Sequence, residues 1–221
     1  MTKYRWKKAV NQGRQALKLA PLTWKLELKP EKYHDLDKAI KKYLKNVNYY
    51  WYFKNVAFYD EKTNLTYYLP RLLLTRKHLY VFKAKIIPLE GEFTLTNPVW
   101  SKGNKNISSP IVTQQFVINQ VLELLQQKQF LATCVINLQL LKYAEQTSFQ
   151  DITKYSNIHI LNTQELTGSD IIKHIEKYDE LSSDYLADET IFALHKIFTV
   201  HSNKKNHRIK KHWLYCLYHL I

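Results

Sequence analysis

Between residues 36 and 47 the apolar positions Leu36, Ile40, Tyr43, Leu44 and Val47 recur at spacings of four, three, one and three, which is one face of an amphipathic helix. Pro30 suits the first turn of that helix, and Lys38, Lys41, Lys42 and Lys45 fall on its solvent side. The period then changes. Residues 49–59 are aromatic and β-branched, residues 60–64 supply a turn, and two further strands are expected over 65–75 and 79–87. Residues 91–96 predict a short fourth strand and 101–109 a polar loop. Pro110 opens a long helix with Val112, Phe116, Val117, Val121 and Leu124 as its apolar stripe. The nearly unbroken apolar run 130–138 predicts a strand buried on both faces, and 157–161 another. Three helices close the chain, over 169–177, 183–198 and 207–220, with Ser169 and Ser183 as N-caps.

This order of elements predicts an α/β fold, a mixed β-sheet flanked by helices with a helical C-terminal part. It divides into a basic N-terminal arm (1–30), an α/β domain (31–165) and a C-terminal helical part packed on it (166–221). Gly13 interrupts a helical pattern within the arm. The 221 residues are 45% hydrophobic with only four Gly and six Pro, which excludes a wholly disordered or collagen-like chain. No run approaches 18 apolar residues, so no membrane span is expected, and the first twenty residues have no secretory pattern. Two cysteines, Cys134 and Cys216, cannot make a disulfide framework; they read as free thiols of a cytoplasmic protein.

Charge changes the picture once it is located. The net charge of +14 is concentrated at the ends: residues 1–50 carry 13 basic and four acidic side chains, and the last 21 carry five basic and none acidic. Residues 151–200 reverse sign, with four basic and nine acidic. Such a distribution attracts polyanions through counterion release, while the acidic stretch at 165–189 is available to neutralise part of it internally. The run Lys204, Lys205, Arg208, Lys210 and Lys211 suits phosphates or simply a solvated helix end. The rings of residues 49–53 suit base stacking, though core packing accounts for them more cheaply.

Phosphate-cradling glycine loops and the nucleophile elbow are both missing from the sequence. His212, Cys216 and His219 have the spacing to share one helical face, but a structural zinc site needs a fourth ligand, and a packed helix explains them better. No metal site is expected there.

The most informative constellation spans residues 35–115. Asp37 is followed at the third and seventh positions by Ile40 and Leu44. Leu72, Leu73, Leu74 and Thr75 form an apolar strand, and Leu79 to Phe82 lead into Lys83, Ala84 and Lys85. Gly91, Trp100, Pro110 and Gln114 complete the order. This order resembles the nuclease-related domain (NERD) family of the PD-(D/E)xK nuclease fold, over roughly residues 30–221 and most firmly at 65–92. The resemblance implies a restriction-endonuclease-like sheet, with Asp37 as the first acid and Lys85 as the lysine of a Glu-x-Lys motif.

Two departures bear on activity. The resemblance would put the catalytic Asp at Pro70 and the catalytic Glu at Lys83. Mg²⁺ takes carboxylate oxygens, which neither proline nor an ammonium provides. Lys83 and Lys85 share a strand face. At ~6–7 Å and an effective dielectric of ~20 two ammoniums repel each other by on the order of 2–3 kcal/mol, and they repel a divalent ion too. The expectation is a non-catalytic, nucleic-acid-associated or scaffold protein without a cofactor, binding nucleic acid irrespective of sequence through Arg71, Lys83, Lys85, Gln114, Lys204, Lys205 and Arg208. One alternative is an Mg²⁺-dependent DNA nuclease with relocated carboxylates, in which Asp37 and Glu90 or Glu92 join Lys85. The other is a protein-interaction module indifferent to nucleic acid.

Overall fold

The computed structural model describes residues 33–47, 50–63, 65–125, 134–164, 166–183 and 185–202. The basic arm, the helix expected at 207–220, the pair Lys204 and Lys205, Arg208, and the triplet His212, Cys216 and His219 lie outside them.

The chain forms α1 (His34–Tyr43), β1 (Trp51–Asp60), β2 (Leu65–Leu74), β3 (Leu79–Ile86), β4 (Gly91–Thr94), β5 (Val99–Lys102), β6 (Lys105–Ser108), α2 (Pro110–Leu124), β7 (Val135–Lys142), β8 (Thr147–Gln150), β9 (Ile158–Asn162), α3 (Gly168–Leu181) and α4 (Asp188–His201). Five strands make the main sheet in the order β1-β2-β3-β7-β9. The β1-β2-β3 half is antiparallel and the β3-β7-β9 half parallel. The fold is therefore mixed α/β, with helices on both faces of a mixed sheet.

Alternation along β3 separates the two faces. Tyr80 and Phe82 join Leu36 and Ile40 of α1 and Ile171, Ile172 and Ile175 of α3 in one core. Leu79 and Val81 join Ile118, Val121 and Leu122 of α2 and Leu194 and Phe198 of α4 in the other. A third cluster around Trp100, Phe93, Ile111 and Leu141 seats the small β4-β8 pair and the β5-β6 hairpin beside the sheet. Strand β7 is buried through Leu141, as the nearly unbroken apolar run predicts, but it begins at Val135 and not at 130.

Several local expectations change. Residues 101–109 are no loop: β5 and β6 pair as a hairpin with Lys102 opposite Lys105, and Gly103 takes φ +58° in its turn. Helix α2 buries Ile111, Gln114, Ile118, Val121 and Leu122, while Phe116 and Leu124 are exposed. Of the expected stripe only Val121 is fully buried, because Gln114 takes a core-facing position by donating its amide to the Val81 carbonyl at 2.6 Å. Helix α3 starts one residue earlier than expected and runs four residues further. Thr167, not Ser169, is its N-cap, and a capping box forms as Asp170 N–H donates to Thr167 Oγ1 and Thr167 N–H to the Asp170 carboxylate. Helix α4 starts from Ala187, not Ser183, without a side-chain cap.

Candidate functional site

Strands β2 and β3 pair over only four positions, from Leu74 opposite Leu79 to Arg71 opposite Phe82. Beyond that point they part. Pro70 and Lys83, the positions of the two lost acids in the resemblance, would have been the next pair. Proline cannot donate to a ladder, and here it sits at an irregularity. In β1, Asn55 adopts φ +56°, and Asn55 and Pro70 alone are skipped in an otherwise constant register. The burial alternation slips there, so Leu69 and Leu72 both face the α2–α4 core.

Arg71 pairs directly with Phe82 and shares its face, which is opposite to that of Lys83 and Lys85. Arg71 is buried, lies over the Tyr33 ring at 4.6 Å, and holds Asp37 with two nitrogens, Nε at 2.9 Å and Nη2 at 3.3 Å. Asp37 also accepts from the Lys54 ammonium and from Tyr52 Oη at 2.5 Å. Burial by itself would raise the Asp37 pKa, but the bonds from Arg71, Lys54 and Tyr52 outweigh it and hold the carboxyl below the usual carboxylate range. Tyr33 Oη accepts the Ala84 N–H at 2.9 Å, a group freed where β2 leaves β3, and burial raises the pKa of that phenol. The expected grouping of Arg71 with the lysine pair is therefore corrected, and Asp37 is the centre of a structural ion cluster on the α1–α3 side.

Lys83 and Lys85 lie on the α2–α4 side, as alternation with Ala84 requires. Lys85 Nζ donates to the Ser108 carbonyl at 3.0 Å, beside Ser109, the N-cap of α2. Gln114 meets β3 two residues before Lys83, and Gln139 is Lys83's register neighbour on β7. Gln139 Nε2 donates to Asn137 Oδ1 at 2.6 Å, and Asn137 Nδ2 donates to Gln115 at 3.1 Å. The fold thus gathers Lys83, Lys85 and Gln114 at one end of β3, above a buried amide network. Its members Asn137 and Gln139 were missed in the sequence because they interrupt an otherwise apolar strand.

Glu90 is exposed with its carboxylate 3.9 Å from Lys102, and Glu92 is exposed on β4. Among the described residues no three His, Cys, Asp or Glu side chains converge. An open cavity of about 370 Å³ lies at the carboxyl ends of β3 and β7, lined by Ile86, Lys142, Tyr143, Glu145 and Gln164 among others. The rings of residues 50–53 are packed: Tyr50 on Asp179, Trp51 on Phe192 and His195, Tyr52 on Asp37 and Phe53 in the core. Among the described helices none is long and apolar enough to cross a membrane. The chain matches no protein-family model and no curated protein.

Proposed function

We propose that this chain is a nuclease-related protein of NERD type, with a restriction-endonuclease-like sheet, that binds nucleic acid without cutting it and acts in the cytoplasm. The observation that carries this reading is the separation of its ionic groups by the sheet. Asp37 is bound to Arg71, Lys54 and Tyr52 on one face, while Lys83 and Lys85 stand on the other. A two-carboxylate Mg²⁺ site needs acids on the strands beside the lysine, and here Lys83 stands two positions before Lys85 with Gln139 as its register neighbour on β7. Two ammoniums at the N-terminal end of α2 suit a phosphate, and contacts of this kind read the backbone rather than the base.

The test is retention of a labelled DNA or RNA oligonucleotide by the full chain at ~50 mM salt, where phosphate contacts are strongest, with and without Mg²⁺. Intact nucleic acid and retention lost in Lys83→Ala/Lys85→Ala support the reading. Mg²⁺-dependent cleavage abolished by Lys85→Ala would establish the nuclease instead. No retention at all would leave the protein-interaction module.

A further inference from the structure

The edge strand β9 and helix α3 bring His159 and His174 together, well away from the lysine pair in β3. Nδ1 of His159 lies 3.0 Å from Nε2 of His174, with the ring planes at 88°. Nε2 of His159 is 3.2 Å from the Ser156 carbonyl, which has only lone pairs to offer. The His159 proton therefore sits on Nε2, and Nδ1 presents a lone pair. A carbonyl fixing the far nitrogen in this way is the usual support of a metal-ligating histidine. Tyr178, one turn beyond His174, closes the other side, with its ring 4.4 Å from that of His159 and its hydroxyl on the same Ser156 carbonyl.

We infer that His159 and His174 form a two-imidazole site for a divalent late first-row ion of tetragonal geometry, Cu²⁺ or Ni²⁺. A site of two imidazoles completed by water suits Cu²⁺ or Ni²⁺, and Cu²⁺ binds such ligands most strongly in the divalent series. Without metal, the proton on His174 Nε2 is shared with His159 Nδ1. On binding, that proton moves to Nδ1 of His174, both rings stay neutral, and both rings turn out of their shared hydrogen bond so that the two lone pairs meet at the ion. Both rings are partly buried, which disfavours their charged forms. No third His, Cys, Asp or Glu joins them among the described residues, so water fills the other positions. Lys173 and Lys177 on the exposed side of α3 oppose the ion's charge and keep the site modest in affinity.

The experiment is a titration of the full chain with CuCl₂, followed by electron paramagnetic resonance and calorimetry, and with NiCl₂ followed by NMR of the histidine rings. The expected result is one tetragonal Cu²⁺ with two-nitrogen superhyperfine structure. It should weaken in His159→Ala and His174→Ala by more than the roughly 10–100-fold typical of supporting residues, and persist in His212→Ala/Cys216→Ser/His219→Ala. Selective Ni²⁺ broadening of the His159 and His174 rings in the unaltered chain reports the same site without a variant. Binding in both single variants as tight as in the unaltered chain, loss only in the triple variant, or sharp His159 and His174 resonances at one equivalent of Ni²⁺ would overturn it.

Discussion

Arg71 and Phe82 are the last residues to face each other across β2 and β3, and their side chains share the α1–α3 face of the sheet. That pairing sends the Arg71 guanidinium to Asp37 and not to the lysines of β3. Removing Asp37 would leave Arg71 and Lys54 without their shared acceptor. Breaking a fully buried pair costs ~3–5 kcal/mol, and since the Asp37 side chain is 18% exposed a loss of about 2–3 kcal/mol is expected for Asp37→Ala. Denaturant unfolding checks it, and an unchanged midpoint would refute the cluster's structural role.

Acid should act through the same carboxyl. Its folded pKa is depressed, so its contribution is complete above the unfolded value of ~3.9 and disappears as pH falls through the lower, folded value. His159 has the same sign for the opposite reason. The neutral ring is preferred in the fold, so stability is full above ~6.5 and declines as pH falls towards about 4. Unfolding measured from pH 7 to 4 should show a decline in stability that is smaller in His159→Gln.

Salt dependence separates the two faces. If Lys83 and Lys85 contact phosphates, Lys83→Ala and Lys85→Ala should each flatten the slope of log affinity against log salt by about 0.7–0.9. Arg71→Gln should lower the melting temperature and leave that slope unchanged. A slope altered equally by all three would mean that Arg71 reaches the ligand.

Gly168→Ala tests a close approach of α1 and α3. An added Cβ would lie 2.5 Å from the Asp35 carbonyl oxygen and 2.8 Å from the Ala39 Cβ. Helix propensity favours alanine by about 1 kcal/mol, but the clash is with backbone, and overpacking of this kind costs ~1–3 kcal/mol. The net expectation is destabilisation, seen as a lower thermal midpoint. A gain in stability would show that α3 can shift freely.

Much of the fold was legible because its signals are local. The 3.6 period places Leu36 and Ile40 in the core, the nearly unbroken apolar run expected at 130–138 leads into a strand covered on both sides that begins at Val135, and β1, β2, β3 and β9 fall within a residue or two of their expected bounds. The stripe of α2 was misread because burial there follows neighbours: Gln114 is accepted inside since Val81 offers a carbonyl, and Phe116 is left outside. The β5-β6 hairpin escaped notice because Ser, Lys, Gly and Asn look alike in a loop and in a short exposed ribbon.

The amino-acid order by itself determined which residue types stand at the candidate site: a proline and a lysine where the resemblance has acids, and Lys83 and Lys85 two apart on one strand. What only the tertiary structure decided is which charges meet. Strand alternation is known from sequence only up to the next irregularity. One such step at Asn55 and Pro70 reverses the faces of β1 and β2. The same kind of long-range choice brings His159 to His174 across 15 positions. Register and helix docking are set by packing between distant segments, and no local pattern carries them.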